Sequence, residues 1–340
     1  MEPKAVGFER YVPLDKGNGF FAFPYEPERP RGHDLVVAVE ASSFNPTDLV
    51  HYKTPLAKEN TPSVLGFDGF GTVVRTGPQV VLFKPGDKVF FAGDQTRRGS
   101  FADLEAIDER IVALAPSNLT PAQASSIPLA FITAWESLVE KMGIDPRETA
   151  VNKEKSVLIV NASGGVGSIA VQLAKAFGLK VIATAGRKET AEWASSNGAD
   201  YVLNHRMALS EQLTEKGLGE VDFILDLYGP DDRFSDFVTC LKPMGKIVSI
   251  GKSSADLPLY LLKKKAATFA WEWMFAKSTF RLESLSTQHQ ILATAKQMAE
   301  EGKIRPRVTR VIKGLNPESV REGLTSLGHN DTIGKIVLVH

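Results

Sequence analysis

Val157-Leu158-Ile159-Val160-Asn161-Ala162-Ser163-Gly164-Gly165-Val166-Gly167 opens on a continuous apolar run and ends in a cluster of glycines. The run, Val157–Asn161, reads as a strand buried on both faces, because it does not alternate apolar with polar residues. After the glycines, Ile169, Leu173 and Phe177 recur at four-residue steps, which predicts a helix with one apolar face that stops at Gly178. Strand and helix signals keep alternating downstream. Lys180–Thr184 is strand-like, Lys188–Asn197 is helix-like and closed by Gly198, and Val221–Leu227 and Lys246–Ile250 are strand-like again. A βαβαβ series of this kind predicts a parallel, doubly wound sheet.

Upstream the style differs. Leu35–Glu40, Gly71–Arg75, Lys88–Ala92 and Ile111–Ala115 are short segments rich in Val, Phe and Ile, cut by turns at Gly77-Pro78, Pro85-Gly86-Asp87 and Gly93-Asp94. Their spacing predicts an antiparallel, barrel-like unit. Thr120-Pro121 is a helix start with Thr120 as N-cap. A long helix is expected over Glu283–Glu301, followed by strands at Val308–Ile312 and Lys335–Val339, whose sheet the pattern leaves open.

Composition narrows the chemistry. Lys plus Arg and Asp plus Glu each number 40 in 340 residues, so nothing favours a nucleic-acid partner. One cysteine, Cys240, excludes an internal disulfide and a thiolate-rich zinc lobe. Charges at Glu2, Lys4, Glu9 and Arg10, and the absence of an apolar run of ~20 residues, predict a soluble cytosolic chain with no leader and no membrane span.

A glycine-rich turn between a buried strand and a helix lets backbone N–H groups approach a pyrophosphate, with the helix dipole assisting. A tight structural turn is the plainer alternative. An NAD-binding chain would carry a carboxylate about 20 residues after the first glycine, to bond the ribose 2′-hydroxyl. Here that position is Thr184, followed by Ala185, Gly186, Arg187 and Lys188. A carboxylate ~4 Å from a 2′-phosphate would cost about 4 kcal/mol per charge pair at an effective dielectric near 20. Arg187 and Lys188 would instead attract it, so the pattern predicts NADPH over NADH. Otherwise the two are surface charges beside the next helix.

Asn161–Gly167, Thr133-Ala134-Trp135 and Gly334-Lys335-Ile336-Val337-Leu338 resemble the medium-chain dehydrogenase/reductase superfamily, and the resemblance runs from Lys4-Ala5-Val6-Gly7-Phe8 to the C-terminus. Thr268–Phe275 is similar to a segment of the zinc-type alcohol dehydrogenase-like proteins of its quinone oxidoreductase branch. The resemblance implies an α/β chain with a GroES-like β-barrel catalytic domain over residues 1–128, a doubly wound Rossmann domain over 129–281, and a return to the catalytic domain over 282–340. It also implies an NADPH-dependent reductase of quinones or α,β-unsaturated carbonyls. Zinc-dependent members have a Cys ahead of a Ser/Thr-Asp pair and then a Gly-His-Glu element. This chain reads Asn45-Pro46-Thr47-Asp48 and Gly66-Phe67-Asp68-Gly69, so Asn45 and Phe67 stand where ligands would, and no metal is expected.

Three catalytic candidates follow. Asn45 resembles the family's amide beside the nicotinamide and could bond a developing enolate oxygen, or simply hold a turn before Pro46. Tyr52 could donate a proton or line the pocket, with a partly buried aromatic as the alternative. Thr133 resembles a threonine near the nicotinamide, with helix packing as the alternative. His51 is read as a surface group. For the cofactor, Gly164, Gly165, Val166 and Gly167 would meet the pyrophosphate, and Thr184, Arg187 and Lys188 the 2′-phosphate. By resemblance His205 would lie near the adenosine phosphate, where the family often has an aromatic, and Gly251 and Lys335 are further contacts. Phe269, Trp271, Trp273 and Phe275 would share one face of a strand, and so aromatic a face needs cover. The resemblance implies that this edge of the sheet pairs across a two-fold axis in a homodimer, with cover within one subunit as the alternative. A redox-inactive NADPH-binding sensor or scaffold, and a zinc alcohol dehydrogenase, are the competing functions.

Overall fold

The computed structural model describes residues 2–54, 61–329 and 332–340. Residues 55–60 of the loop Val50–Thr61, expected to shape the pocket, lie outside them. The chain forms two units, one of Met1–Ile132 with Phe275–His340, the other of Thr133–Met274. The strands in chain order are β1 (Lys4–Gly7), β2 (Phe21–Pro24), β3 (Asp34–Ser43), β4 (Asp68–Thr76), β5 (Lys88–Phe91), β6 (Leu104–Asp108), β7 (Val112–Leu114), β8 (Ser156–Val160), β9 (Lys180–Ala185), β10 (Tyr201–Asn204), β11 (Val221–Asp226), β12 (Leu241–Ser249), β13 (Thr268–Trp271), β14 (Val308–Lys313) and β15 (Lys335–Val339).

In the second unit the strand order is β10-β9-β8-β11-β12-β13, every pair parallel. This is the doubly wound arrangement, and β8 lies where the winding reverses. Val157, Leu158, Ile159 and Val160 are all fully buried, which explains their unbroken apolar run. The helix Gly165–Ala176 buries Ile169 and Leu173 and ends before Gly178, whose φ of +91° suits glycine.

In the first unit the sheet order is β14-β15-β3-β4-β5-β7, with β6 also paired to β3. Leu35, Val37 and Val39 alternate into one core with Val73, Val89 and Ile107, as period-two patterning requires. The C-terminal strands join this sheet, with β15 antiparallel to β3 and β14 parallel to β15. That answers the question the sequence left open. Ile336 and Leu338 on β15 enter a second core with Phe8, Phe44 and Phe101.

Two expectations need correcting. The alternation over Phe269–Phe275 does not persist, because β13 ends at Trp271. Phe269 packs into the core of the second unit, whereas Phe275 is buried in the first unit against Phe67, ring centroids 4.8 Å apart. Glu283–Glu301 is not one helix but a 3₁₀ turn, Glu283–Ser286, leading into the helix Thr287–Glu300. No helix among the described residues is long and apolar enough to cross a membrane.

Candidate active site

Sheet register builds a buried polar cluster in the first unit. Ser43 at the end of β3 pairs with Asp68 at the start of β4, and also with Val337, two residues beyond Lys335 on β15. Lys335 Nζ donates to Asn45 Oδ1 at 2.6 Å and to Asp68 Oδ2 at 2.8 Å. The same Asp68 oxygen accepts from Ser43 Oγ at 2.6 Å and Asn45 Nδ2 at 2.8 Å, while Asp68 Oδ1 accepts the backbone N–H of Leu129 at 2.7 Å. A buried carboxylate is tolerated only with this kind of full satisfaction. Asn45 precedes the helix Pro46–Lys53, and its backbone N–H donates to Asp48 Oδ2 at 2.8 Å. Asp48 also accepts from Gly66 N at 3.0 Å, and burial pushes its carboxyl up to about 7.

The cluster revises the catalytic candidates. The second N–H of the Asn45 amide faces Ser43 O at 3.3 Å, so both of its donors are engaged within the protein. The ammonium fixes which end of the amide is oxygen. Asn45 therefore has no N–H left for an enolate. Tyr52 is fully buried among Phe8, Phe20 and Tyr11, and its hydroxyl donates to Val12 O at 2.7 Å and accepts from Val12 N at 3.2 Å. Burial also raises its pKa. It is a core residue and not a proton donor. Thr133 is buried in the helix Pro128–Trp135, where its carbonyl accepts from Ser137 Oγ at 2.7 Å. His51 is only half-exposed, with Nδ1 2.9 Å from Thr47 O and Nε2 3.0 Å from Gln95 Oε1.

Lys335, expected as a cofactor contact, belongs to this cluster. Asp68 and Asp48 were not singled out as site residues, although an aspartate opening an apolar strand is a usable signal for a buried, partnered carboxylate.

In the second unit, β8 runs into Asn161, whose φ of +64° is a left-handed conformation that asparagine tolerates. Gly164 precedes the first turn of the helix Gly165–Ala176. A Cβ on Gly167 would sit 2.6 Å from the Ala162 backbone, so glycine is what brings this helix close to its strand. On Gly164 a Cβ would meet nothing, leaving open space before the helix N-terminus. Gly251 lies backbone to backbone against Tyr228 and Gly229.

Beyond β9, Arg187 and Lys188 are exposed at the start of the helix Lys188–Ser196. A Cβ on Gly186 would lie 2.6 Å from His205 Nε2 and 3.2 Å from Arg206 Nε, so both side chains crowd that turn. Arg233 Nη1 donates to the His205 carbonyl. Burial, with Arg233 and Arg206 nearby, lowers the His205 pKa. Arg233 was missed because it follows β11, far along the chain. Thr184 is placed differently from expectation. It is fully buried, and its hydroxyl accepts from Asn161 N at 3.0 Å and lies 3.2 Å from His205 Nδ1. It braces the turn from inside and does not face a phosphate.

Two family models match, Alcohol dehydrogenase GroES-like domain over residues 31–116 and Zinc-binding dehydrogenase over residues 165–285. The chain is 40% identical over 335 residues to a zinc-type alcohol dehydrogenase-like protein of Staphylococcus epidermidis, covering 98% of this chain and 99% of that one. The chain belongs to the medium-chain dehydrogenase/reductase superfamily. It is also 32% identical over 225 residues to a chloroplastic NADPH-dependent alkenal/one oxidoreductase of Arabidopsis thaliana, covering 64% of this chain and 54% of that one. Among solved structures it resembles Escherichia coli quinone oxidoreductase complexed with NADPH, with a TM-score of 0.83, 25% identity, and 99% and 100% of the two chains covered.

Membership in this oxidoreductase superfamily raises the question of zinc, which two of these names carry. At the two positions where the resemblance would place metal ligands, the chain has the Asn45 amide and the Phe67 ring. The adjacent carboxylate, Asp68, is already bonded to an ammonium. Among the described residues no group of three or more His, Cys, Asp and Glu side chains could hold a metal ion. Zinc needs thiolate, imidazole or carboxylate donors, so this donor set does not fit it.

Proposed function

We propose that this protein is a metal-independent reductase that uses NADPH to reduce quinones or α,β-unsaturated carbonyls. The observation that carries the reading is the Lys335 ammonium, fixed by Asn45 and Asp68 in place of a metal-ligand set. A chain without a Lewis acid has weak means to form an alkoxide from an alcohol. It can still act on a carbon that is already electrophilic, where charge spreads onto a conjugated oxygen. The names of the Arabidopsis and Escherichia coli proteins point the same way.

NADPH supplies the hydride. Gly164, Gly165, Val166 and Gly167 present backbone N–H groups at a helix N-terminus, which suits a pyrophosphate. Arg187, Lys188 and Arg206, with Arg233 behind His205, supply the charge that suits a 2′-phosphate, and no carboxylate stands at the end of β9. Gly251 is held against the Tyr228–Gly229 backbone, and its place as a cofactor contact rests on the family resemblance. We also propose a homodimer through the edge strand β13, whose Trp271 is 45% exposed. A monomer elution volume in gel filtration at micromolar concentration would remove that proposal.

Steady-state assays with NADPH and NADH against ortho- and para-quinones and enones test the main reading, together with elemental analysis of the purified protein. Turnover with NADPH preferred and no stoichiometric zinc is expected. Cofactor binding without turnover of any acceptor would make the protein a redox-inactive NADPH binder instead.

A further inference from the structure

A hydrogen-bond count over the buried cluster of the first unit leaves one donor unassigned. Asn45 uses both amide hydrogens, on Asp68 and Ser43 O, and its backbone N–H on Asp48. The hydroxyl of Ser43 donates to Asp68 Oδ2, and that of Ser100 to Asp68 O. Gly66 N is engaged with Asp48, and Leu129 N with Asp68. The Lys335 ammonium carries three hydrogens and uses two, on Asn45 Oδ1 and Asp68 Oδ2. Ser43, Ser100, Asp48 and Asp68 are sealed, while Asn45 keeps 3% and Lys335 5% of its surface.

We propose that the third N–H of Lys335 is the donor that binds the carbonyl oxygen of the acceptor and stabilises the charge developing there. This deepens the reductase reading above and rests on it. Hydride adds to the conjugated carbon and forms the new C–H bond. The C=C electron pair shifts toward the carbonyl, whose oxygen takes up negative charge as an enolate bonded to the ammonium. Water then protonates the α-carbon, giving the saturated carbonyl compound, and NADPH leaves as NADP⁺. Asn45 and Asp68 are positioning residues, which hold the ammonium so that its free hydrogen is directed before the substrate arrives.

The test uses Lys335→Met and the double variant Lys335→Met/Asp68→Asn. The double variant removes both charges, so no lone buried carboxylate threatens folding. One readout is kcat for an enone beside the dissociation constant of NADPH. The other is the ionisation of 4-nitrophenol, a phenol whose anion mimics the enolate, followed by absorbance with the NADP⁺ complex. Wild type should lower the apparent pKa of the phenol. In both variants that shift should vanish and kcat should fall about a hundred- to a thousandfold, as when an oxyanion donor is removed, with NADPH affinity unchanged. A wild type that leaves the phenol untouched, or a folded variant that keeps wild-type kcat, overturns the assignment. Loss of kcat with the phenol shift intact also overturns it, since Lys335 would then act only on the fold. A phenol shift that depends on Lys335, in a wild type that turns over no acceptor, would sink the reductase reading and leave the donor in place.

Discussion

Asp48 accepts the backbone N–H of Gly66 at 3.0 Å, tying the helix that follows Asn45 to the loop entering β4. The bond lies in a fully buried place, and that burial raises the carboxyl from 3.8 to about 7. A carboxyl that binds its proton more tightly when folded stabilises the fold below 3.8, and the contribution is lost as pH rises through about 7. Urea unfolding across that window should show wild type losing a few kcal/mol relative to Asp48→Asn, which cannot ionise. Parallel pH profiles for the two proteins would refute the assignment.

Tyr52→Phe distinguishes a core tyrosine from a catalytic one. The substitution removes both hydrogen bonds to Val12 and leaves that backbone N–H and carbonyl short of a partner. Stability should drop by about 0.5–1.5 kcal/mol, the usual net contribution of a hydrogen bond, because Val12 is only half-buried. The kcat should stay at the wild-type value. A large fall in kcat in a variant of unchanged stability would restore Tyr52 as a proton donor.

Local signals were legible in the sequence. The run Val157–Val160, the glycines after it and the helical spacing of Ile169 and Leu173 lie within one stretch, and the structure keeps them as one βα unit. The same holds for the missing carboxylate after β9, which is a fact of adjacent residues. The buried cluster was not legible, because Lys335 and Asn45 stand 290 positions apart and meet only through the pairing of β15 with β3. Asn45 was singled out, but the residues that engage its amide come from other strands. Tyr52 was misjudged for a related reason: the partner of its hydroxyl is the backbone of Val12, which no side-chain pattern announces. In Phe269–Phe275 the alternation was real in the letters, yet β13 stops after four residues and Phe275 enters the other unit's core.

The cations beyond β9 make a binding prediction. Arg187→Ala should weaken NADPH by roughly tenfold or more, since a hydrogen bond to a charged group contributes ~1.5–3 kcal/mol. NADH, lacking the 2′-phosphate, should bind as before. Gly186→Ala should act in the same direction without touching a charge, because its Cβ would stand 2.6 Å from His205 Nε2 and push the ring aside. Fluorescence titration of both cofactors measures the ratio. Equal NADPH affinity in wild type and Arg187→Ala would refute the 2′-phosphate assignment.

Glu272 and Glu136 are both buried in the second unit, with their carboxyl groups hydrogen-bonded to each other, and Lys141 Nζ is 3.9 Å from Glu272 Oε2. Burial first, then Glu136, raises Glu272 from 4.5 to about 9. Glu140 adds to the rise and Lys141 opposes it. The sign follows that of Asp48: the contribution is present below 4.5 and is lost as pH rises through about 9. Thermal unfolding of wild type should therefore fall off in mildly alkaline buffer. Glu272→Gln keeps the shape and the hydrogen bond but cannot ionise, so its melting temperature should hold across the same range. If both proteins lose stability in parallel as pH rises toward 9, the proton on Glu272 is not what the pair depends on.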